Sequence, residues 1–160
     1  LVSRTDYTQG EDYSTATKEG FVNQKGYSSP TGYLLWISLK TQRVNIFQGS
    51  KGNWKLIRSR PCSTGTNLTP TVTGVFSVIY KTYRWRFSDT IDGQYIDDYY
   101  RVYHITGFWA FHSRPYRSSD ESLLDGTMGT PSSHGCVRMY DEDCSYIYDE
   151  IPYDTTVVVF

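Results

Sequence analysis

Residues 33–59 read YLLWISLKTQRVNIFQGSKGNWKLIRS and decide the fold class. This stretch holds three segments rich in apolar residues, 33–39, 43–47 and 54–59, and short polar turns separate them. Branched and aromatic residues favour strands, and consecutive strands joined by short turns pair in antiparallel fashion. The pattern therefore predicts a mainly β protein that opens with a three-stranded antiparallel meander.

More strands follow the meander, and one helix comes near the end of the chain. Strands are predicted at 74–80, 83–87, 99–105, 108–112 and 155–160. The last of these is apolar throughout, so we expect it to be central in a sheet. Residues 141–150 are predicted to form a helix capped by Asp141, because Cys144 and Ile147 fall on one apolar face.

The first 30 residues differ in composition from the rest of the chain. They are polar and rich in turn residues, so we expect a linker or strap from an upstream module. Within it, residues 21–27 are expected to make a short extended contact. Residues 31–160 are long enough to form one domain with its own core.

Several protein classes are excluded by composition. A formal net charge of −1 argues against a nucleic-acid binder, which normally carries a basic surface. No apolar run reaches the roughly 18–20 residues of a membrane span. Residues 1–4 do not lead into the apolar segment of a signal peptide. We therefore expect a fragment of a longer exported or membrane-anchored protein.

The reactive side chains concentrate in residues 132–138, SSHGCVR. Cysteine is nucleophilic as the thiolate, and a nearby imidazole is the usual means of ionising it. Cys136 has two candidate partners, His134 beside it and His112 at the end of a strongly apolar strand upstream. This arrangement predicts an activated cysteine.

Other polar residues have secondary roles in this interpretation. Gly135 lets the backbone turn amides toward an oxyanion, and Arg138 supplies a positive charge for a carboxylate or for the thiolate. His104 is expected to be structural or to line the pocket. Arg84 and Arg86 alternate with aromatic residues, so we expect them on a solvated strand face.

Two separate motifs resemble one family. His112 and residues 133–139, SHGCVRM, resemble the signature of the L,D-transpeptidase catalytic domain, also called the YkuD domain. Residues 62–65 and 69–76 are similar to the family's Ser-Thr-Gly, Thr-Pro-Thr and Gly-x-Phe run. The resemblance covers residues 33–160. It implies a β-sandwich of mixed and antiparallel sheets with one or two short helices.

The resemblance also implies a role for each site residue. Cys136 would be the nucleophile and His112 its base, with the backbone carbonyl of Ser113 orienting the His112 ring. The family places further residues around this pair, which shape the oxyanion site with the Cys136 amide, support the loop and bind a substrate carboxylate: His134, Gly135, Ser133 and Arg138.

The substrate and partners follow from the same resemblance. The thiolate would attack the third residue of a peptidoglycan tetrapeptide stem and release the terminal D-alanine. A neighbouring stem would then accept the acyl group in a 3→3 cross-link, whereas water as acceptor would make the protein an L,D-carboxypeptidase. We expect no metal or organic cofactor, a monomer, and a location outside the cell at the bacterial wall.

Three other functions were weighed against these residues. A zinc site would draw on His112, His134, Cys136 and Cys144, but their spacing matches no common zinc motif. A papain-like or NlpC-type cysteine hydrolase has its nucleophile before its histidine, whereas His112 precedes Cys136 here. A catalytically inactive wall-binding module remains open.

The chain departs from the family pattern in two places. Val72 stands where the family usually has proline, and His112 and His134 are 22 residues apart (134 − 112), which is longer than expected. The extra length predicts an enlarged loop at Arg114–Thr130 beside the site. If Cys136 is free, the only possible disulfide joins Cys62 and Cys144.

Overall fold

The structure is a computed structural model that describes residues 10–88, 95–107 and 109–160. Parts of three predictions lie outside the described residues: the start of the linker, the first part of the loop that three aspartates and a glycine predict at 91–98, and the first residue of the strand at 108–112. The helices and strands are α1 Thr15–Gln24, β1 Tyr33–Ser38, β2 Arg43–Gln48, β3 Lys55–Pro61, β4 Gly74–Ser88, β5 Tyr95–Ile105, β6 Trp109–Ser113, β7 Tyr116–Arg117, β8 Val137–Met139, α2 Asp141–Glu150 and β9 Thr156–Val159.

The strands form a mixed sheet in the order β3-β2-β1-β9-β4-β5-β6-β8, and β7 pairs with β5. β1 runs parallel to β9 and β6 parallel to β8, while the other pairs are antiparallel. The expected mainly β fold, with its opening meander, is confirmed. β9 is central, as predicted, because it lies between β1 and β4.

Strand β4 joins the two halves of this sheet. Its residues 74–77 pair with β9, and from Val78 onward it pairs with β5. The register shifts between Val78 and Tyr80, and irregularities of this kind bend a strand. Residues 74–80 and 83–87 are in a strand, as predicted, but their separation into two strands is wrong, since one strand of 15 residues runs through both.

The bend brings both halves of the sheet around one core, together with α2. Its fully buried side chains include Leu35, Ile37, Val44, Tyr103, Phe111, Val137, Met139, Cys144 and Ile147. Burial of apolar surface is the main favourable term in folding, so the strands that contribute to this core are firmly held. β6 and β8 are two of these strands.

Each helix shows one difference from its prediction. α2 has the predicted bounds, but its N-cap is Tyr140 with no side-chain hydrogen bond, and Asp141 is its first helical residue. The extended contact expected at 21–27 is wrong: α1 is a helix capped by Ser14, and it buries Val22 against the sheet. Neither helix of the described chain has the length and apolar character that a membrane span requires.

The parallel pair β6–β8 positions the candidate site. Phe111 pairs with Val137 and His112 with Arg138. Phe111 and Val137 are buried in the core. Because side chains alternate along a strand, His112, Arg138 and the preceding Cys136 lie on the other face. The predicted base and nucleophile are thus on neighbouring strands and on the same side of the sheet.

Candidate active site

A pocket of about 410 Å³ opens on this face of the sheet. Its lining residues are Trp85, Asp97, Tyr99, His112, Pro115, Leu124, Asp125, Ser133, His134, Cys136 and Arg138. Of the predicted site residues, all except Ser113 and Gly135 line the pocket. Ser113 contacts His112 through its backbone carbonyl, and Gly135 contacts Ser133 and Thr71 through its backbone.

His112 is buried and held in one orientation. Its Nδ1 lies 2.7 Å from the backbone carbonyl oxygen of Ser113. A carbonyl oxygen only accepts hydrogen bonds, so Nδ1 carries the proton and Nε2 is the basic nitrogen of the neutral ring. Tyr99 packs against the ring at 4.4 Å between centroids. Burial lowers the pKa of His112 to about 4.

Cys136 also lies in a desolvated position. Burial raises the pKa of its thiol, although a hydrogen bond from the Ala110 backbone and the charge of Arg138 oppose this rise. The low pKa of His112 and the raised pKa of Cys136 favour an uncharged thiol and an uncharged imidazole in the same pocket near neutral pH. The thiolate expected from the sequence would then form only as His112 takes the proton.

The turn that carries Cys136 is closed by one hydroxyl. Ser133 Oγ donates to the Cys136 carbonyl at 2.5 Å and accepts from the Gly135 amide at 3.2 Å. Gly135 has φ +122°, a conformation that residues with a Cβ rarely adopt. The Gly135 amide is thus engaged within the turn. His134 is exposed at the pocket wall.

A second loop, residues 63–71, contacts this turn and holds it through hydrogen bonds. Thr71 Oγ1 donates to the Gly135 carbonyl at 2.8 Å and accepts from the Gly65 amide at 2.9 Å. A Cβ on Gly65 would lie 2.0 Å from the Thr69 carbonyl oxygen, so no larger residue fits there. Only the family motif predicts that this loop lies beside the site. The individual roles of Thr71 and Gly65 are visible only in the structure.

The Arg114–Thr130 loop reaches the pocket, as its predicted position requires. Pro115, Leu124 and Asp125 line one wall. Asp125 Oδ2 accepts a hydrogen bond from Arg138 Nη1 at 3.0 Å, and this ion pair fixes the nearly buried guanidinium. The loop is anchored because its short strand β7 pairs with β5.

The β4–β5 hairpin supplies three lining residues that sequence reasoning missed: Trp85, Asp97 and Tyr99. Tyr99 and Val102 belong to one side-chain cluster, although residues three apart face opposite sides of a regular strand. Arg101 lies between them with φ 50°, which is uncommon for a non-glycine residue. This residue resets the alternation and directs Asp97 and Tyr99 into the pocket.

The remaining candidates lie apart from the pocket. His104 is not among its lining residues; its ring stacks on Tyr80 at 3.9 Å, and its Nε2 lies 3.2 Å from Thr82 Oγ1. Cys62 and Cys144 are buried, and no disulfide joins the three cysteines. Across the described ranges, no group of three or more His, Cys, Asp or Glu side chains is placed to hold a metal ion.

Residues 32–159 match the YkuD family, the L,D-transpeptidase catalytic domain. This match covers most of the chain and includes every residue of the pocket. The chain belongs to the L,D-transpeptidase catalytic domain family. The resemblance seen in the sequence motifs is therefore confirmed.

Two individual proteins are similar to this chain in sequence. The Bacillus subtilis (strain 168) protein named "Putative L,D-transpeptidase YciB" is 30% identical over 130 residues, which are 78% of this chain and 65% of that protein. A Clostridium acetobutylicum structure, titled "Fused Zn-dependent amidase/peptidase/peptodoglycan-binding domain-containing protein", has 33% identity and a TM-score of 0.75, covering 91% of this chain and 59% of that one.

A more distant structure shares the fold alone. L,D-transpeptidase 3 from Mycobacterium tuberculosis, solved with a faropenem-derived adduct, has a TM-score of 0.60 and 18% identity. The alignment covers 80% of this chain and 60% of that one. The present chain therefore spans less than two thirds of the length of these relatives.

Proposed function

We propose that this chain catalyses acyl transfer between peptidoglycan stem peptides through a thioester on Cys136. The supporting observation is that His112 and Cys136 lie on one face of the paired strands β6 and β8, in one pocket, with His112 Nε2 unprotonated. A wall-binding module would have no need of this combination.

In the first half-reaction, Cys136 Sγ attacks the carbonyl carbon of the third residue of a tetrapeptide stem. Its proton passes to His112 Nε2, so charge develops on the imidazole and on the carbonyl oxygen together. The Cys136 amide stabilises that oxyanion, because the Gly135 amide is engaged with Ser133 Oγ. The bond to D-alanine then breaks, and His112 returns the proton to the leaving amine.

In the second half-reaction, the side-chain amine of a neighbouring stem attacks the thioester. His112 accepts the amine proton and delivers it to the departing sulfur, which leaves a 3→3 cross-link and the original thiol. With water as the acceptor, the same steps give an L,D-carboxypeptidase. The scheme uses no metal and no organic cofactor.

The cellular setting is part of the proposal. The stem peptides of the wall lie outside the bacterial membrane, so the chain would act there, as a monomeric catalytic unit of a longer exported or anchored protein. Its relatives extend well beyond the aligned region, which agrees with such a context.

Incubation with defined disaccharide-tetrapeptides tests the proposal. We expect D-alanine release and 3→3 dimers, identified by mass spectrometry, from the wild type and none from Cys136→Ala. Retained affinity for peptidoglycan with no turnover by the folded wild type would instead support the inactive wall-binding module. Hydrolysed tripeptide without dimers would support the carboxypeptidase.

A β-lactam gives an independent chemical test. The mycobacterial relative carries a faropenem-derived adduct. We expect carbapenems and penems to acylate Cys136 in this chain too, with a mass increase that is absent from Cys136→Ala. An adduct that persists in that variant would contradict the assignment of the nucleophile.

A further inference from the structure

Two oppositely charged residues line the pocket, and no ion pair joins them in the described chain. Arg138 projects from β8 and Asp97 from β5, and both line the cavity. Burial raises the pKa of Asp97, and the charge of Arg138 opposes this rise. The ion pair that Arg138 makes in the described chain is with Asp125 instead.

Arg138 is oriented but retains hydrogen-bonding capacity. Its Nη1 donates to Asp125 Oδ2 at 3.0 Å, its guanidinium also hydrogen-bonds Tyr99, and its side chain is 7% exposed. Its Nε is buried and has no hydrogen-bond partner among the described residues. A buried donor without a partner is costly, and guanidinium groups bind carboxylates in a two-point geometry.

Asp97 has a hydrogen-bond acceptor that lacks a donor, whereas Arg138 has a donor that lacks an acceptor. Asp97 Oδ1 is enclosed and accepts no hydrogen bond from any described part of the chain. A carboxylate in this state is stabilised by an incoming ammonium group, which would supply both charge and hydrogen bonds.

The net charge of the pocket favours such a ligand. Its lining contains two carboxylates, Asp97 and Asp125, and one guanidinium, Arg138. With His112 uncharged, the described lining is net negative before the thiol ionises. An anionic ligand alone would be opposed by the two carboxylates, whereas a group carrying both charges is not.

We propose that Asp97 and Arg138 form a subsite for a zwitterionic α-amino acid group, with the ammonium at Asp97 and the carboxylate at Arg138. The subsite rests on the proposed function, because a diamino diacid at the third position of a stem ends in this group. That group could belong to the donor stem, before acylation, or to the acceptor stem, whose amine resolves the thioester.

Donor selectivity provides the first arm of the test. Three synthetic tetrapeptide stems would differ only at the side-chain end of the third residue: ammonium with carboxylate, carboxylate alone, and ammonium alone. The rate of acyl-enzyme formation is measured by intact-protein mass spectrometry in single turnover. If the group belongs to the donor, the wild type prefers the zwitterion by about 10- to 100-fold, as expected for a charged hydrogen-bonding pair.

The variants assign the preference to a residue. Asp97→Asn should remove the preference for the zwitterion over the carboxylate-only donor and keep the preference over the ammonium-only donor. Asp149→Asn makes the same charge change at an exposed position of α2 and should behave as the wild type. The iodoacetamide reactivity of Cys136 checks that the pocket is intact in each variant.

The acceptor arm follows the fate of the preformed acyl-enzyme. If the group belongs to the acceptor, transfer to a free D-amino acid, relative to hydrolysis, should fall about 10-fold or more in Asp97→Asn. Transfer to a simple alkylamine should not change. Equal behaviour of Asp97→Asn and the wild type in both arms would overturn the subsite.

Equilibrium binding separates this inference from the proposed function. Calorimetry with a free diamino diacid and the Cys136→Ala protein requires no turnover. Binding that weakens about 10-fold on adding Asp97→Asn supports the subsite even if no stem acylates the wild type. Acylation without any such binding or selectivity would leave the proposed function standing and reject the subsite.

Discussion

Two neighbouring aspartates on β5 show how differently the two faces of the β4–β5 hairpin are built. Asp98, on the outer face, is fully buried and accepts hydrogen bonds from Arg84, with its Nε at 3.0 Å, and from Arg86 Nε at 3.1 Å. Burial alone would raise the pKa of Asp98, but these arginines hold it below its usual value. On the pocket face, Asp97 Oδ1 has no hydrogen-bond partner among the described residues, and burial raises the pKa of Asp97.

The contrast in hydrogen bonding between Asp98 and Asp97 indicates that charges on the outer face stabilise the fold, whereas those on the pocket face are proposed to bind a ligand. On the outer face, each carboxylate oxygen has a donor, so the cluster ties two strands together. On the pocket face, Asp97 and Arg138 each retain an unsatisfied polar atom. Substitutions on the outer face should therefore change stability, and those on the pocket face should change reactivity.

The largest effect is expected at His112, the proposed general base. His112→Gln removes the proton acceptor, so acyl-enzyme formation should fall by roughly 10²- to 10⁴-fold. His104→Gln is the matched control, because His104 lies on the same sheet outside the pocket, and it should stay within about 3-fold of the wild type, well below that loss. Single-turnover mass spectrometry measures both, and a loss of less than tenfold in His112→Gln would remove this residue from the mechanism.

His112 should also make the fold sensitive to acid. Its folded pKa of about 4 lies below the usual value of 6.5, so below pH 6.5 the unfolded chain binds a proton that the folded chain does not. The contribution of His112 to the free energy of unfolding is fully present above pH 6.5. It is lost as the pH falls through 4, by about 3 kcal/mol in all. Urea unfolding across this window should show a flatter profile for His112→Gln; identical profiles would contradict the low pKa.

On the outer face, Asp98→Asn should destabilise the protein by about 2 kcal/mol, since it removes a charged partner from two arginines that can partly rehydrate. The acylation rate of the folded fraction should remain near that of the wild type. Urea unfolding gives the stability, and a loss below about 0.5 kcal/mol would mean that this cluster does not hold the hairpin.

The residue that separates the two faces can be tested by its backbone conformation. Arg101→Val should cost about 1–2 kcal/mol, because a branched residue resists a positive φ. It should also slow acylation as Asp97 and Tyr99 turn away. Arg101→Gly accepts the same φ and should keep the acylation rate. If the valine and glycine variants have equal stability and equal acylation rates, the positive φ of Arg101 does not cause the change of side-chain alternation along β5.

The smallest expected effect is the change in the free energy of unfolding that Asp97→Asn causes. Ionised Asp97 is disfavoured in the fold, so the wild type loses stability as the pH rises from about 3.9 through the raised pKa. The variant lacks this loss and should be more stable at pH 7 by less than about 1 kcal/mol. Chemical unfolding at pH 4 and pH 7 measures the difference, and a destabilised variant at pH 7 would show that Asp97 has a structural partner.

Local patterns were enough to predict the elements and the reactive residues. The meander, α2 and the central position of β9 follow from apolar periodicity and turn residues, which depend on near neighbours in sequence. The pair of Cys136 and His112 was found because cysteine and histidine chemistry is recognisable from residue type alone. Their placement on one face depended on the β6–β8 register, which no local pattern contains.

The missed features depend on distant contacts. The three aspartates and the glycine of residues 91–98 predict a loop that includes Asp97, yet β5 extends to Tyr95 through pairing with β4. The positive φ of Arg101 has no signal in an arginine residue. α1 was missed because it buries only Lys18 and Val22, so its helical pattern is weak.

In the proposed mechanism, Cys136 carries the acyl group. The most direct measurement is intact-mass analysis, followed by peptide mapping, of protein quenched during reaction with a tetrapeptide stem. A thioester on Cys136 equal in mass to the stem minus D-alanine, formed by the wild type and lost in Cys136→Ala, is the predicted result. Turnover of the stem with no adduct at Cys136, or with full activity in Cys136→Ala, would contradict it.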